Sequence, residues 1–137
     1  MKYLLFSLIF SVWISKSYSQ SPVGTWLAID EETNQPKAHV AIYEHEGKLY
    51  GKIVKLLVKT PKETCDFCKG INKDKPYIGM LVIYNMVKKN DEWQGRVYKV
   101  SLGTEFKGSL KMIGKDKIKV TGSYLLISRS QIWTRVS

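Results

Sequence analysis

Apolar and polar residues alternate along much of this chain, which is the pattern of strands buried on one face only. The pattern is clearest over Phe106 to Met112 and over Lys117 to Tyr124. In both segments every second residue is apolar or glycine, and the residues between them are lysine, serine or threonine. The turn-forming run Gly114-Lys115-Asp116 lies between the two segments. Together they predict a β-hairpin.

Six further segments have the length and composition of strands, and turn residues such as Glu46-Gly47 and Lys89-Asn90-Asp91 separate some of them. These predicted strands are Thr25 to Ala28, His39 to Tyr43, Leu49 to Val58, Ile78 to Met86, Trp93 to Val100 and Gln131 to Val136. About eight short strands at regular spacing are typical of a β-sandwich or a β-barrel.

The first and last predicted strands carry complementary residues. An up-and-down sheet has two exposed edges, and closure into a barrel removes both. Closure would bring Gly24 and Trp26 beside Trp133 and Arg135, with the arginine stacked on an indole face and the glycine leaving room for the backbone. These four residues are predicted to form a latch. A Gly-x-Trp first strand with an arginine on the last strand resembles lipocalin-like barrels. The expected fold is therefore all-β, a single antiparallel up-and-down barrel of about eight strands, lipocalin/calycin-like.

A second resemblance covers most of the chain. Its residues are Gly24-Thr25-Trp26, the strand Leu49 to Val54, Gly79-Met80, Trp93 with Gly95, and the ending Arg129 to Val136. They resemble the bacterial domain of unknown function 2147 family, which implies a small exported β-protein without an assigned activity. Many members carry cysteine where this chain has Tyr50 and Ile78. A role of those two cysteines cannot be transferred to this chain.

The N-terminus has the organisation of a secretory signal peptide. Lys2 precedes an apolar run from Tyr3 to Ile14, and small residues follow before Gln20. Because serines interrupt the apolar run and a membrane-spanning helix needs about 20 apolar residues, a retained anchor is the weaker alternative. The sequence predicts a signal peptide over 1–19, a single domain over 20–137, and export to the periplasm or the extracellular space, with no transmembrane segment in the mature chain.

Cys65 and Cys68 lie in a loop rich in lysine and glycine, and three interpretations compete for them. A disulfide is favoured in an exported protein. Structural zinc needs two more ligands, and His39 and His45 are too far apart along one strand to supply both. A redox-active dithiol would gain from the neighbouring lysines but lacks a helix N-terminus. The disulfide is the preferred interpretation.

The sequence gives little indication of catalysis. It contains no nucleophile elbow, phosphate-binding glycine loop or metal-binding histidine pair, and Glu31-Glu32 and Asp91-Glu92 are interpreted as solvated turns. We expect neither an enzyme nor a cofactor or metal ion. The formal net charge of +10 favours solubility or attraction to an anionic envelope surface. Nucleic acid is not an expected partner, because the aromatic residues Phe106 and Tyr124 face away from the lysines of their strands.

Two functions remain open. Gly108 and Gly122 remove side-chain volume from the inner face of the predicted hairpin, which favours a ligand cavity, although a filled core is the alternative. The predicted ligand-binding residues are Tyr98, Phe106, Met112 and Tyr124. A cavity would make the protein a lipocalin-like carrier or sensor of a small hydrophobic or amphipathic ligand. Otherwise the lysine-rich loop with its two cysteines would serve an envelope protein-interaction or structural module.

Overall fold

The computed structural model describes residues 9–13 and 21–137, and the strands within 21–137 form a closed antiparallel barrel of eight strands. Each strand pairs with the next in sequence, and the last pairs with the first. The strands are β1 (Gly24–Ile29), β2 (Pro36–His45), β3 (Lys48–Leu56), β4 (Leu81–Lys89), β5 (Glu92–Lys99), β6 (Thr104–Ile113), β7 (Lys117–Tyr124) and β8 (Ile127–Arg135), with 3₁₀ turns at Gly70–Asn72 and Val100–Leu102. The predicted all-β, up-and-down barrel is confirmed.

Most of the predicted signal peptide lies outside the described residues. Residues 9–13 are exposed and have no regular secondary structure. Among the residues that the structure describes, no helix has the length and apolar character needed to cross a membrane.

The barrel closes where β1 meets β8. Trp26 pairs with Arg135 and Leu27 with Thr134, and the Thr25 N–H donates to the carbonyl of Ser137 at 2.8 Å. Trp26 is fully buried, and its indole N–H donates to the carbonyl of Pro22 at 2.9 Å. Closure therefore combines strand pairing with a buried aromatic side chain.

Arg135 covers the closed end of the barrel. The centre of its guanidinium lies 4.4 Å from the centroid of the Trp26 ring. Its Nη1 and Nη2 donate to the carbonyls of Val23 and Ser21, each at 2.9 Å, and its Nε donates to the carbonyl of Lys115 at 2.8 Å. The guanidinium thus joins the N-terminal approach to β1, the β6–β7 turn and β8.

Gly24 lies beside Arg135, whereas Trp133 lies away from the contact between Arg135 and Trp26. A Cβ atom on Gly24 would lie 2.5 Å from Nη1 of Arg135 and 2.7 Å from the carbonyl oxygen of Ser137, so the position has no room for a side chain. Trp133 lies further along β8, opposite Ile118, on the wall of the barrel interior. Gly24, Trp26 and Arg135 therefore meet at the closed end, whereas Trp133 is not part of the cap on Trp26.

The closed half of the barrel is filled by large side chains. The fully buried residues there are Trp26, Ile42, Leu49, Met86, Leu110 and Ile118. None of them borders the cavity described below, because the cavity lies toward the opposite end, where β1 and β2 are joined by one turn and β7 and β8 by another. The barrel thus has a packed half and an open half.

Several strand boundaries differ from the prediction, and two of the differences have a clear local cause. β4 begins at Leu81 rather than at Ile78, because Ile78 and Gly79 form a turn in which the N–H of Met80 donates to the carbonyl of Tyr77. β8 begins at Ile127, four positions before the predicted start, since β7 and β8 are joined by a turn of two leucines that has no typical turn residue.

The loop between β3 and β4 packs against the barrel. Cys65 and Cys68 are buried and their sulfur atoms lie 2.05 Å apart, the distance of a disulfide. Asn72 is also buried, and its side-chain amide donates to the carbonyl of Leu81 at 2.8 Å. The lysines of the loop remain exposed. The cysteine pair therefore lies in the folded base of the loop.

Candidate functional site: a cavity in the open half of the barrel

A cavity of about 480 Å³ occupies the open half of the barrel. Apolar side chains line the inner part of the cavity, and charged residues surround its mouth. The apolar wall residues are Ala28, Ala38, Val40, Ile53, Ile83, Val97, Phe106 and Val120. The volume lies within the range of about 300 to 1,000 Å³ typical of small-molecule sites.

Small side chains across the barrel and one of the two glycines of the β6–β7 hairpin border this space. A Cβ atom on Gly108 would lie 2.4 Å from a Val97 methyl group, and one on Gly122 would lie 3.2 Å from the same side chain. Val97 therefore occupies the volume beside Gly108, whereas Gly122 lines the cavity. Ala28 and Ala38 face each other on β1 and β2, are buried, and line the cavity.

The four residues predicted to contact a ligand are not equivalent in the structure. Phe106 and Tyr124 line the cavity, and their rings meet edge to face with centroids 6.2 Å apart. Met112 lies beyond Leu110 toward the closed end and does not line the cavity. Its inclusion among the lining residues therefore has to be corrected, because the packed half of the barrel separates it from the open space.

Tyr98 borders the cavity, but its hydroxyl is held by the neighbouring loops. The hydroxyl oxygen lies 2.7 Å from the carbonyl oxygens of Lys69 and Gly103, and it accepts a hydrogen bond from the Lys69 N–H at 3.0 Å. Burial raises the pKa of the phenol. The hydroxyl therefore holds the β3–β4 loop to the β5–β6 turn and is not free to orient a ligand.

A chain of polar side chains crosses the mouth of the cavity. Glu31 accepts hydrogen bonds from Nζ of Lys99 at 2.6 Å and from Nε2 of Gln131 at 3.0 Å. Gln131 in turn accepts from the indole N–H of Trp133 at 2.9 Å. The hydrogen bond from Lys99 is the main cause of a lowered pKa at Glu31, so the carboxylate is ionised over a wider pH range than an isolated one.

Sequence reasoning missed this chain of side chains. Glu31 was interpreted as part of a solvated turn, and its partners Lys99 and Gln131 are 68 and 100 residues away. The available signal was the alternation of β8 itself, which places Gln131 on the same face as Trp133. A polar residue on an inward face requires a partner.

Arg129 and Lys37 are cationic residues at the cavity that no ion pair engages in the described part of the chain. Arg129 lies on β8 opposite Gly122 and lines the cavity. The charge of Arg129 contributes to the lowered pKa of Glu31, yet within residues 21–137 the Arg129 side chain has no hydrogen bond or ion pair. Its guanidinium can therefore bind an acidic or polar group at the mouth.

The seam between β1 and β8 is open toward the same end. The strands pair at Trp26 and Leu27, and beyond them the side chains of Glu31 and Gln131 bridge the gap. A shallow groove runs along this gap beside Ile29 and Ile132. Backbone pairing between β1 and β8 therefore holds the closed end of the barrel but does not extend to the mouth.

Over the described part of the chain, no cluster of three or more histidine, cysteine, aspartate or glutamate side chains is placed to hold a metal ion.

Comparison with known proteins identifies the family. A family model described as "Uncharacterized protein conserved in bacteria (DUF2147)" matches residues 24–135, which include all eight strands. The chain belongs to the DUF2147 family. The resemblance expected from the sequence motifs is therefore confirmed, and the family description assigns no activity.

A solved structure supports the fold of this DUF2147 protein. It is described as "Protein HP1028 from the human pathogen Helicobacter pylori belongs to the lipocalin family". The TM-score is 0.73 with 15% sequence identity, over 85% of this chain and 84% of that chain. At this identity the comparison shows a lipocalin-like fold. No curated protein shows significant sequence similarity to the chain.

Proposed function

We propose that this DUF2147 protein binds a small hydrophobic or amphipathic molecule in the barrel cavity and acts as a carrier or sensor rather than as an enzyme. The observation that carries the proposal is the cavity of about 480 Å³, apolar in its depth and open at one end. The lipocalin-like fold of the HP1028 protein is compatible with this use. Export belongs to the proposal and is supported by the signal-peptide pattern around Lys2 and Tyr3 to Ile14.

The arrangement of the wall favours one orientation of the ligand. An apolar portion would lie against Val40, Ile53 and Phe106, where each buried CH₂ group contributes about 0.8 kcal/mol. A polar end would lie at the mouth, within reach of Arg129 and of the side chain of Gln131. Few polar groups at a mostly apolar site are the usual basis of orientation in small-molecule pockets.

Ala38→Phe tests the proposal because it fills the cavity from the wall. Ala38 is 5% exposed and lies on the inner face of β2. The matched control is Ala41→Phe, which makes the same change on the outer face of the same strand, three residues away. Titration with an environment-sensitive apolar dye should saturate for the parent and for Ala41→Phe. Ala38→Phe should weaken binding at least tenfold.

Circular dichroism identifies variants that fail to fold, and those are set aside before dye titration. Folded Ala38→Phe that binds the dye as the parent does would contradict the cavity as the binding site. Absence of saturable binding by the parent to apolar dyes and to fatty acids of different chain lengths would contradict the proposed function itself.

A further inference from the structure

The turn between β7 and β8 exposes four consecutive apolar residues, which we call the hairpin tip. Tyr124, Leu125, Leu126 and Ile127 are 65%, 85%, 101% and 65% exposed. Contiguous apolar surface of this kind is uncommon on a soluble protein and often marks a place of contact with another molecule. The two leucines project furthest from the barrel.

Leu125 also has a backbone conformation that does not suit leucine. Its φ is +53°, in the left-handed region where a branched side chain is strained and where two-residue hairpin turns favour glycine or asparagine. The leucine therefore has no advantage for the turn itself. Strained backbone that persists in a structure is found disproportionately where it serves a contact or a reaction.

The hairpin tip borders the mouth of the cavity. Tyr124 and Ile127 belong to the hairpin tip and also line the cavity. Leu102, in the turn between β5 and β6, lines the cavity at its mouth and is 59% exposed. Phe67 is 53% exposed and packs beside Gly103, the residue after Leu102. Apolar residues from three loops thus gather at the open end of the barrel.

Two cationic side chains lie on the strands next to the hairpin tip. Lys107 is exposed on β6 opposite Ser123, and Arg129 is exposed on β8. Neither takes part in an ion pair within residues 21–137. Glu105 on β6 and Glu31 in the β1–β2 turn are paired with other cations at 3.1 and 2.6 Å, while Asp30 and Glu32 lie in that same turn across the mouth. The two strands that carry the tip, β7 and β8, contain no acidic residue, so the charge on the tip's own strands is positive.

We propose that the hairpin tip docks on a lipid bilayer that carries anionic headgroups. Leu125 and Leu126 insert among the acyl chains near the headgroups, while Lys107 and Arg129 contact lipid phosphates. Burial of apolar side chains and attraction to anionic lipid together stabilise this mode of peripheral binding. The cavity mouth then faces the bilayer. The proposal does not depend on whether the cavity binds a ligand.

The shape of the tip favours a bilayer over a second copy of the chain. A stable protein interface buries about 800 Å² on each partner, whereas two projecting leucines on a narrow turn offer much less surface. A narrow projecting turn that inserts into the interfacial region of a bilayer is surrounded by lipid on all sides. Both leucine side chains can then be buried completely.

Vesicle co-sedimentation tests the docking. The parent should bind vesicles of phosphatidylcholine with phosphatidylglycerol, and more weakly vesicles of phosphatidylcholine alone. Replacing Leu125 by Asn together with Leu126→Ser should reduce binding at least tenfold, because each buried leucine contributes on the order of tenfold. The fold should persist, since asparagine suits a positive φ. Lys107→Gln should weaken binding about fivefold on the anionic vesicles alone.

Two controls separate docking from other effects. Ile113→Ser removes an apolar side chain that is 43% exposed at the opposite end of β6, and it should bind vesicles as the parent does. Ala38→Phe fills the cavity, so unchanged vesicle binding by this variant would show that docking is not uptake of lipid into the barrel.

Three results would overturn the proposal. The first is equal vesicle binding by the parent and the double leucine variant. The second is no binding by the parent to anionic vesicles. The third is concentration-dependent dimerisation that the leucine variant abolishes, without vesicle binding, which would assign the tip to contact with a second copy of the chain.

Discussion

The contact between Trp26 and Arg135 is predicted to account for a large part of the barrel's stability. Trp26 is fully buried, so Trp26→Ala should lower the free energy of unfolding by about 3 to 5 kcal/mol. Arg135→Ala removes three donors from backbone carbonyls and should cost about 2 to 3 kcal/mol. With the guanidinium 4.4 Å from the indole, the two residues should also be energetically coupled, by about 0.5 to 2 kcal/mol.

A double-mutant cycle measures this coupling. Urea unfolding of the parent, both single variants and the double variant is followed by far-ultraviolet circular dichroism, since fluorescence would change with the removed tryptophan. A control cycle pairs Trp26→Ala with Arg96→Ala, whose guanidinium is engaged by Glu105, and should be additive within about 0.5 kcal/mol. A loss below about 1 kcal/mol for Trp26→Ala, or full additivity with Arg135→Ala, would refute the role given to the latch.

Three further predictions concern other parts of the chain. Because the pKa of Glu31 is lowered in the folded state from 4.5, its stabilising effect is present above that value and is lost as the pH falls through the folded pKa. Urea unfolding should therefore show Glu31→Gln less stable than the parent by up to about 1 kcal/mol at pH 7, and this difference should shrink as the pH is lowered through the folded pKa. Thiol labelling of the denatured, unreduced protein should find no free cysteine, and two labelled thiols would contradict the disulfide. The double substitution Cys65→Ser and Cys68→Ser should lower the free energy of unfolding by about 2 kcal/mol. N-terminal sequencing of exported protein should begin within a few residues of Gln20, and an uncleaved cytoplasmic product would contradict export.

The fold was predictable where alternation and turn chemistry agree. Along β6 and β7, inward residues alternate with lysines and Gly114 supplies a positive φ in the turn, so the hairpin is found at its predicted position. The β7–β8 turn was missed because Leu125 and Leu126 give no turn signal, and a continuous apolar run contains no alternation. Positive φ at Leu125 is a property of the folded backbone that composition does not reveal.

The candidate site was less predictable than the fold. Inward-facing glycines predict open space, but whether a neighbour fills that space depends on cross-strand packing: Val97 fills it beside Gly108, whereas Gly122 lines the cavity. The polar chain at the mouth joins Lys99, Glu31 and Gln131 from three parts of the chain. Sequence periodicity gives the face of each residue, but not which residues the closed barrel brings into contact.

Native mass spectrometry of the protein recovered from the exported fraction of its own cells tests the central claim most directly. The account predicts a bound small molecule on the parent and on Ala41→Phe, removed by gentle collisional activation, and its loss from Ala38→Phe, where the cavity is filled. The bare polypeptide mass for all three proteins, or the same bound molecule on Ala38→Phe, would contradict a ligand in the cavity.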